Sequence, residues 1–473
     1  MDTPVPAADS KPKRRMAWQK ARKIAFGGLL LLFSPMTETG ALGQGSPSSS
    51  SADAKADAAP TKTPEPTTAD VSKGVEETLA LIEKHYVKDV GRQELLEAAL
   101  RGMVSRLDSY SEYLSPDEVR LLKEAIAGEY AGVGLQIGLV DQRWTILSPR
   151  WNTSAYRAGL RAGDRILQVE GKDASNLSSE ELQNRLSGEA GTTLKLLVMR
   201  AGASEAQVIE ITREWIPLES ILGDHRDEND RWNFWLPGED KLAYIRIASF
   251  GKNTPDELRT ACAELVSQGL RGLILDLRNN PGGLLPSAVD ICDLFVEQGK
   301  IVSIAGKSSP EHVWNAKSEG TFTGFPVVVL INRYSASSSE IVAACLQDSQ
   351  RAEIIGERSW GKGSVQNLIE LPEGRGAVKL TTSLYQRPSG KNIHRFDGAK
   401  LEEEWGVIPS PGREVVLTDE ENRRIMAERR VADRIYRKDQ KPAEHPDFRK
   451  LDRQLEKGVQ VLLEKLAPSP DKK

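Results

Sequence analysis

The sequence predicts an α/β core of βαβ units, interrupted by a β-rich domain and bordered by helical regions at both ends. Three observations carry this expectation. Between residues 216 and 414, apolar runs of strand length (LAYIRIA, GLILDLR, PVVVLIN, AEIIGE, AVKLTTSLY) alternate with helical ones (TPDELRTACAELVSQG, LPSAVDICDLFVEQG, SSEIVAACLQDS), which implies a largely parallel sheet. Between residues 129 and 215, shorter runs (VGLQIGLV, RWTILSPR, DRILQVEG, TTLKLLVMR) are separated by Gly and Asn turns. Residues 71–128 and 415–473 instead carry apolar positions three and four residues apart.

The chain of 473 residues has room for about three domains, and its 39% hydrophobic and 28% charged content suits folded domains in water. A net charge of −4 argues against a general nucleic-acid binder. That sum conceals an asymmetry, because residues 1–43 carry +4 and the remainder −8. The basic cluster Lys11, Lys13, Arg14, Arg15, Lys20, Arg22 and Lys23 precedes an apolar run from Ile24 to Phe33 and the small residues Ala41–Gly43. This order predicts a secretory signal or N-terminal anchor, and hence an exported protein of the periplasm or cell envelope. Residues 44–70, rich in Ser, Ala, Pro, Thr and Asp, predict a disordered tether to a membrane or leader.

From Val71 the pattern is helical, with Val75, Leu79, Leu81, Ile82 and Tyr86 recurring at helical spacing, then further helices near Leu95–Leu107 and Pro116–Ile126. Ser115-Pro116-Asp117-Glu118 reads as a capping box with Pro at the first helical position. At the other end, residues 417–466 are charged and helical and finish in the amphipathic stretch Leu451–Leu466. Cys262, Cys292 and Cys345 cannot form a closed disulfide framework and read as small buried thiols. The five histidines (His85, His225, His312, His394, His445) form no HExxH and no zinc-type spacing, so no metal or other cofactor is called for.

Four motifs bear on chemistry. Gly356-Glu-Arg-Ser-Trp-Gly361-Lys362-Gly363 resembles a P-loop, but Gly363 stands where a Mg²⁺-binding hydroxyl is required, which argues against nucleotide binding. Gly132-Val133-Gly134-Leu135-Gln136-Ile137 opens the β-rich domain and could form a nest of N–H groups for a carboxylate, or be a plain hairpin glycine pair. Arg278-Asn279-Asn280-Pro281-Gly282-Gly283 follows an apolar strand, where α/β folds place binding groups and where N–H donors can line an oxyanion hole. Ser335-Ala336-Ser337-Ser338-Ser339-Glu340 lies between a strand and a helix, the setting of a nucleophilic serine. A serine needs a base. Lysine serves if burial lowers its pKa from about 10.4 toward roughly 7–8, and Lys362, between two glycines and after Trp360, is the candidate.

Together these residues resemble the carboxyl-terminal processing (tail-specific) serine proteases over about Val71 to Leu466. The resemblance rests on Leu107–Leu114 (LDSYSEYL), the glycines at 132–134, AGLRAGD (158–164), DLRNNPGG (276–283), SASSSE (335–340) and GKGSVQ (361–366). It implies a crotonase-like core (216–414), a PDZ domain (129–215) that recognises substrate C-termini, and a Ser–Lys dyad assisted by Gln. Matched residue by residue, the nucleophile is Ser337, the base Lys362 and the orienting glutamine Gln366. The oxyanion donors are the N–H groups of Gly283 and Ser338, and the peptide carboxylate falls to Gly132, Val133, Gly134 and Leu135, with Leu135 and Ile137 lining an apolar pocket. Ser338 departs from the family's usual Ala and leaves open which serine attacks; Ser410 departs from a usual Asp. The implied partners are polypeptides with exposed, apolar C-termini; the helical ends (71–128 and 417–466) could pair with a second copy of the chain, cage the active site or simply cap the core. A non-catalytic peptide-binding scaffold and an acyl-CoA enzyme of crotonase type are the rival readings.

Overall fold

The computed structural model describes residues 65–307, 309–440 and 445–467. The expected leader (1–43) and most of the expected tether lie outside the described residues. The chain divides into two compact units. The first holds the described residues up to Val119 together with Leu368–Lys379, and the second holds Arg120–Asn367 and Leu380 onward.

In the first unit, helix α1 (Thr68–His85) begins three residues earlier than the sequence pattern suggests. Thr67 and Asp70 cap it reciprocally, satisfying two free N–H groups, so Thr68–Asp70 belong to the helix rather than to the tether. Helix α2 (Arg92–Val104) follows. The Asp108 carboxylate then accepts the N–H groups of Tyr110 and Ser111 and turns the chain into strand β1 (Glu112–Leu114). That strand pairs antiparallel with residues 377–379. The capping box at Ser115 is present, with Glu118 accepting the Ser115 N–H, and it starts α3 (Pro116–Ala127).

Within the second unit, residues 129–217 form a β-rich module with its own core of Val133, Ile146, Leu160, Val169, Leu182, Leu194 and Leu196. Its strands are β2 (Glu129–Gly132), β3 (Leu135–Val140), β4 (Arg143–Pro149), β5 (Arg165–Val169), β6 (Lys172–Asp173), β7 (Thr193–Met199), β8 (Ala206–Thr212) and β9 (Glu214–Pro217). Five of them form an antiparallel sheet in the order β3-β4-β5-β7-β8, with β6 beside β5. Helices α4 (Ser154–Arg157) and α5 (Ser179–Leu186) complete the module. Strands β2 and β9 pair with each other, Glu129 opposite Pro217 and Gly132 opposite Glu214, so the chain enters and leaves the module at one place.

The core follows. Strands β10 (Ile221–Leu222), β11 (His225–Arg226) and β12 (Trp232–Asn233) precede β13 (Leu242–Ile247), α6 (Thr254–Ser267), β14 (Gly272–Asp276) and α7 (Leu285–Asp293). Next come β15 (Lys300–Gly306), β16 (Ser309–Asn315), β17 (Val327–Ile331), α8 (Ser338–Asp348) and β18 (Ala352–Gly356). Strands β13, β14, β17 and β18 lie parallel in that order, with β10 antiparallel at one edge. Their side chains alternate between two buried cores. Leu273, Leu275, Val327, Val329 and Ile331 pack with α6, α7 and α8, whereas Ile274, Val328 and Leu330 point to the other face. Both faces are thus apolar, which is why these strands read as unbroken hydrophobic runs.

Beyond β18 run β19 (Ser364–Glu370) and β20 (Ala377–Gln386), whose last residues pair with β15, itself paired with β16. Helices α9 (Asp419–Ala432), α10 (Phe448–Leu451) and α11 (Arg453–Leu466) close the chain. Helix α11 lays Leu455, Val459 and Leu462 on the second face of the sheet, one helical stripe against Ile274, Val328 and Leu330. Its N-terminus is fixed by Asp452, which shares the Arg278 guanidinium with Asp276, each at 2.7 Å. All three cysteines are buried and free, and burial pushes the Cys262 thiol up to about 12. Among the described residues no helix is long and apolar enough to cross a membrane. Replacing Leu462 with Ala should cost about 2–5 kcal/mol of stability in urea denaturation, since it opens a cavity under the sheet.

Candidate active site

The C-terminal ends of the parallel strands carry the residues singled out in the sequence. Four serines follow β17. Ser335 donates its hydroxyl to the Leu277 carbonyl, Ser338 to those of Gly283 and Leu284, and Ser339 to that of Asn280; all three are buried. Ser337 is half-buried and has φ 57° and ψ −117°, a left-handed backbone costly for a residue with a Cβ. Ser338 is thus buried with its hydroxyl on two carbonyls, whereas Ser337 is half-buried.

The turn after β14 holds this strained residue in place. Asn280 donates to the Ile247 carbonyl and accepts the Gly282 N–H, and its own carbonyl accepts the Ala336 N–H. Gly282 then passes so close that a Cβ there would lie 2.8 Å from the Ser337 Cβ and 2.9 Å from the Ser338 nitrogen. A Cβ on Gly283 would lie 2.3 Å from the Phe250 carbonyl oxygen. The glycines are therefore required by contact as well as by turn geometry, and the expected oxyanion residues Gly283 and Ser338 meet beside Ser337.

Lys362 lies half-buried on the loop between β18 and β19. Its carbonyl accepts the Tyr385 hydroxyl, and the loop is pressed so tightly on residues 394–395 that a Cβ on Gly363 would come within 2.5 Å of the His394 nitrogen. Gln366 sits further along β19 and donates to Ser364 Oγ at 3.0 Å and Thr381 Oγ1 at 3.2 Å. The serine turn and the lysine loop are joined by Glu340, in the first turn of α8. Its carboxylate accepts the N–H groups of Ser337, Gly361 and Lys362 and the hydroxyl of Ser359. Burial pushes this carboxyl up to about 6, although all four hydrogen bonds favour its ionised form. The sequence pattern assigned Glu340 no role.

In the β-rich module, the Val133 carbonyl accepts from Ala155 and the Gly134 carbonyl from Arg150. Because a trans peptide directs its N–H opposite to its C=O, the Gly134 and Leu135 N–H groups face away from those partners. Gly132 is held in the β2–β9 pair. Leu135 and Ile137 lie on β3, at one end of the sheet order, half-buried against the module's core. Helix α5 begins with a formed capping box between Ser178 and Glu181.

A half-buried serine on a strained turn, packed against a Gly-Gly turn, suits acyl transfer to a serine, the chemistry of the serine-type hydrolases. The chain matches the model of Peptidase family S41 over residues 241–400, that of the PDZ domain over 145–200 and that of the activating protease CtpB N-terminal domain over 38–118. It is 36% identical over 317 residues to the carboxy-terminal-processing protease of Bartonella bacilliformis, covering 66% of this chain and 70% of that one. Against the carboxyl-terminal-processing protease of Synechocystis sp. it is 35% identical over 319 residues, 67% of this chain and 72% of that one. A solved photosystem II D1 C-terminal processing protease aligns at 30% identity and a TM-score of 0.41, covering 73% of this chain and 86% of that chain. The chain belongs to peptidase family S41. It is a serine-type peptidase with a PDZ domain, and its substrates are polypeptides.

Changing Gly282 to Ala should lower kcat by at least about 10-fold, because the new methyl displaces the Ser337 turn from its reactive geometry; steady-state cleavage of an unfolded protein, with circular dichroism as the fold control, measures this.

Proposed function

We propose that the protein cleaves polypeptides recognised by their free C-termini, with Ser337 as nucleophile and Lys362 as general base. The observation that supports this reading is the contrast within the serine cluster: three serines are buried with their hydroxyls on carbonyl groups, and the fourth, Ser337, is half-buried on a strained turn. Neutral Lys362 takes the proton from Ser337 Oγ as that oxygen bonds to the scissile carbonyl carbon. The Gly283 and Ser338 N–H groups stabilise the resulting oxyanion. Collapse breaks the C–N bond, and the Lys362 ammonium returns its proton to the departing amine. Water, deprotonated by Lys362, then attacks the ester, and the Lys362 ammonium returns that proton to Ser337 Oγ as the acyl C–O bond breaks. Gln366 orients the lysine side chain.

In the PDZ domain, the N–H groups around Gly132, Val133, Gly134 and Leu135 would hold the substrate carboxylate, and Leu135 and Ile137 would take its apolar terminal side chain. The basic–apolar–small order of residues 1–43 supports export to the periplasm or cell envelope, with a tether at the N-terminus. The exposed apolar residues of α1, Val71, Val75 and Leu81, favour self-association of this region.

Ser337→Ala and Lys362→Ala should each reduce cleavage of an unfolded protein with an apolar C-terminus by at least about 1,000-fold, with C-terminal peptide binding retained. Mass spectrometry of the products reports cleavage, and undiminished turnover by Ser337→Ala would refute the assignment. Amidating the peptide C-terminus should weaken binding at least about 10-fold in fluorescence titration, since the carboxylate charge is lost.

A further inference from the structure

Glu340 is fully buried, yet the acyl-transfer steps above give it no part. Four donors converge on its carboxylate. Oε2 accepts the N–H groups of Ser337 and Lys362, each at 2.8 Å. Oε1 accepts the Ser359 hydroxyl at 2.5 Å and the Gly361 N–H at 2.7 Å. The donors belong to two segments, one after β17 and one after β18. A single oxygen thus bridges the main chains of Ser337 and Lys362, and their two nitrogens can be no further apart than twice the length of one hydrogen bond.

We propose that Glu340 is a positioning residue for the Ser337–Lys362 pair, its carboxylate locking the serine turn and the lysine loop at the spacing that proton transfer requires. The inference rests on the dyad reading of the site. Donor chemistry favours a carboxylate here above other side chains. An ionised carboxylate only accepts, with about four lone-pair positions, and four donors face it. Glutamine, of the same shape, offers one oxygen and an NH₂ group, so donors would meet donors on one side of the network. Bonds to an ionised acceptor are also about twice as strong as neutral ones, and a buried network is rigid only when each member is satisfied.

Burial holds the Glu340 carboxyl at about 6, so it is ionised at neutral pH and takes up a proton just below. That proton turns one acceptor oxygen into a donor and breaks part of the bridge. The charged or titratable groups flanking its loop partners are Glu357, Arg358 and Lys362 on the loop, Tyr385, whose hydroxyl donates to the Lys362 carbonyl, and His394 and Arg395 on the segment facing Gly361 and Gly363. Glu357 is engaged by Arg333, and Arg358 lies over the Trp405 ring.

The test compares kcat, KM and the pH dependence of cleavage for the full chain and its Glu340→Gln, Glu340→Asp and Ser337→Ala variants. Glu340→Gln should lower kcat at least about 100-fold with KM changed less than about threefold. Glu340→Asp should recover part of the loss, and C-terminal peptide binding should persist as the fold control. In the parent protein, the acid limb of log kcat/KM should steepen from one proton to two below about pH 6, and in Glu340→Gln it should stay at one. Parent-like kcat together with a two-proton limb in Glu340→Gln overturns the proposal. If the Gln variant does not fold, Ser359→Ala decides: a kcat loss of about 3–10-fold at constant KM supports it, and an unchanged kcat overturns it. Turnover retained by Ser337→Ala would strike the dyad reading instead, whatever Glu340 does.

Discussion

Four parallel strands sealed on both faces set the terms for everything else in the catalytic part of this molecule. Each strand feeds the two cores with alternate side chains, so most side chains inside the sheet are taken up by packing. Function is driven to the C-terminal strand ends, where the chain turns into a helix or a loop. Sealing the second face requires an element from far along the sequence, and α11 supplies it. The buried Arg278 guanidinium, held between Asp276 and Asp452, registers that helix on the strand that precedes the Asn280–Gly283 turn. Such a cluster is weak evidence for added stability, but losing one partner would leave a buried charge uncompensated. Its geometry joins α11 to the turn that underlies the Ser337 segment.

The strained serine turn depends on this rigidity. A left-handed residue with a side chain costs about 1–3 kcal/mol and persists only where its surroundings over-determine it. Here the determinants are specific: Asn280 below, Gly282 in contact, and Glu340 capping from the helix. Each neighbouring serine serves the scaffold by donating its hydroxyl to a main-chain carbonyl of the turn after β14. One side chain chemistry thus fills two roles within five positions, and backbone placement alone separates them.

Much of this was legible in the sequence, for reasons that can be named. The strands β13, β14, β17 and β18 announced themselves because burial on both faces removes polar interruptions. Strands β15 and β16 did not: β15 buries Ile301 and Val302, but Ser303 breaks its apolar run, and β16 is mostly polar in sequence. The start of α1 was read late because Thr67 and Asp70, capping residues, look compositionally like the segment before them. The amphipathic stretch Leu451–Leu466 was legible as a helix with one apolar face, but not the surface it covers, which is the second face of the parallel sheet. Within the site, the serine and lysine motifs were visible as motifs. Glu340 was not, because an acid three residues after a cap residue is an ordinary helix start. Its second set of partners lies on a loop around position 361, a proximity created only by the adjacency of β17 and β18.

The β2–β9 pair has a consequence for how this chain can change. With Glu129 opposite Pro217, the residues between them form an excursion whose two ends meet as neighbours in a ladder. To the host core, such an excursion looks like a short hairpin, and the entropy of closing it rises only slowly with the length enclosed. The recognition module therefore behaves as a cassette. Provided the bonds of Ser148, Ala162 and Asp164 to Ile435 and Arg437 are kept, its loops and peptide groove can change while the ladder ends stay where they are, and substrate choice can drift while the reaction stays fixed.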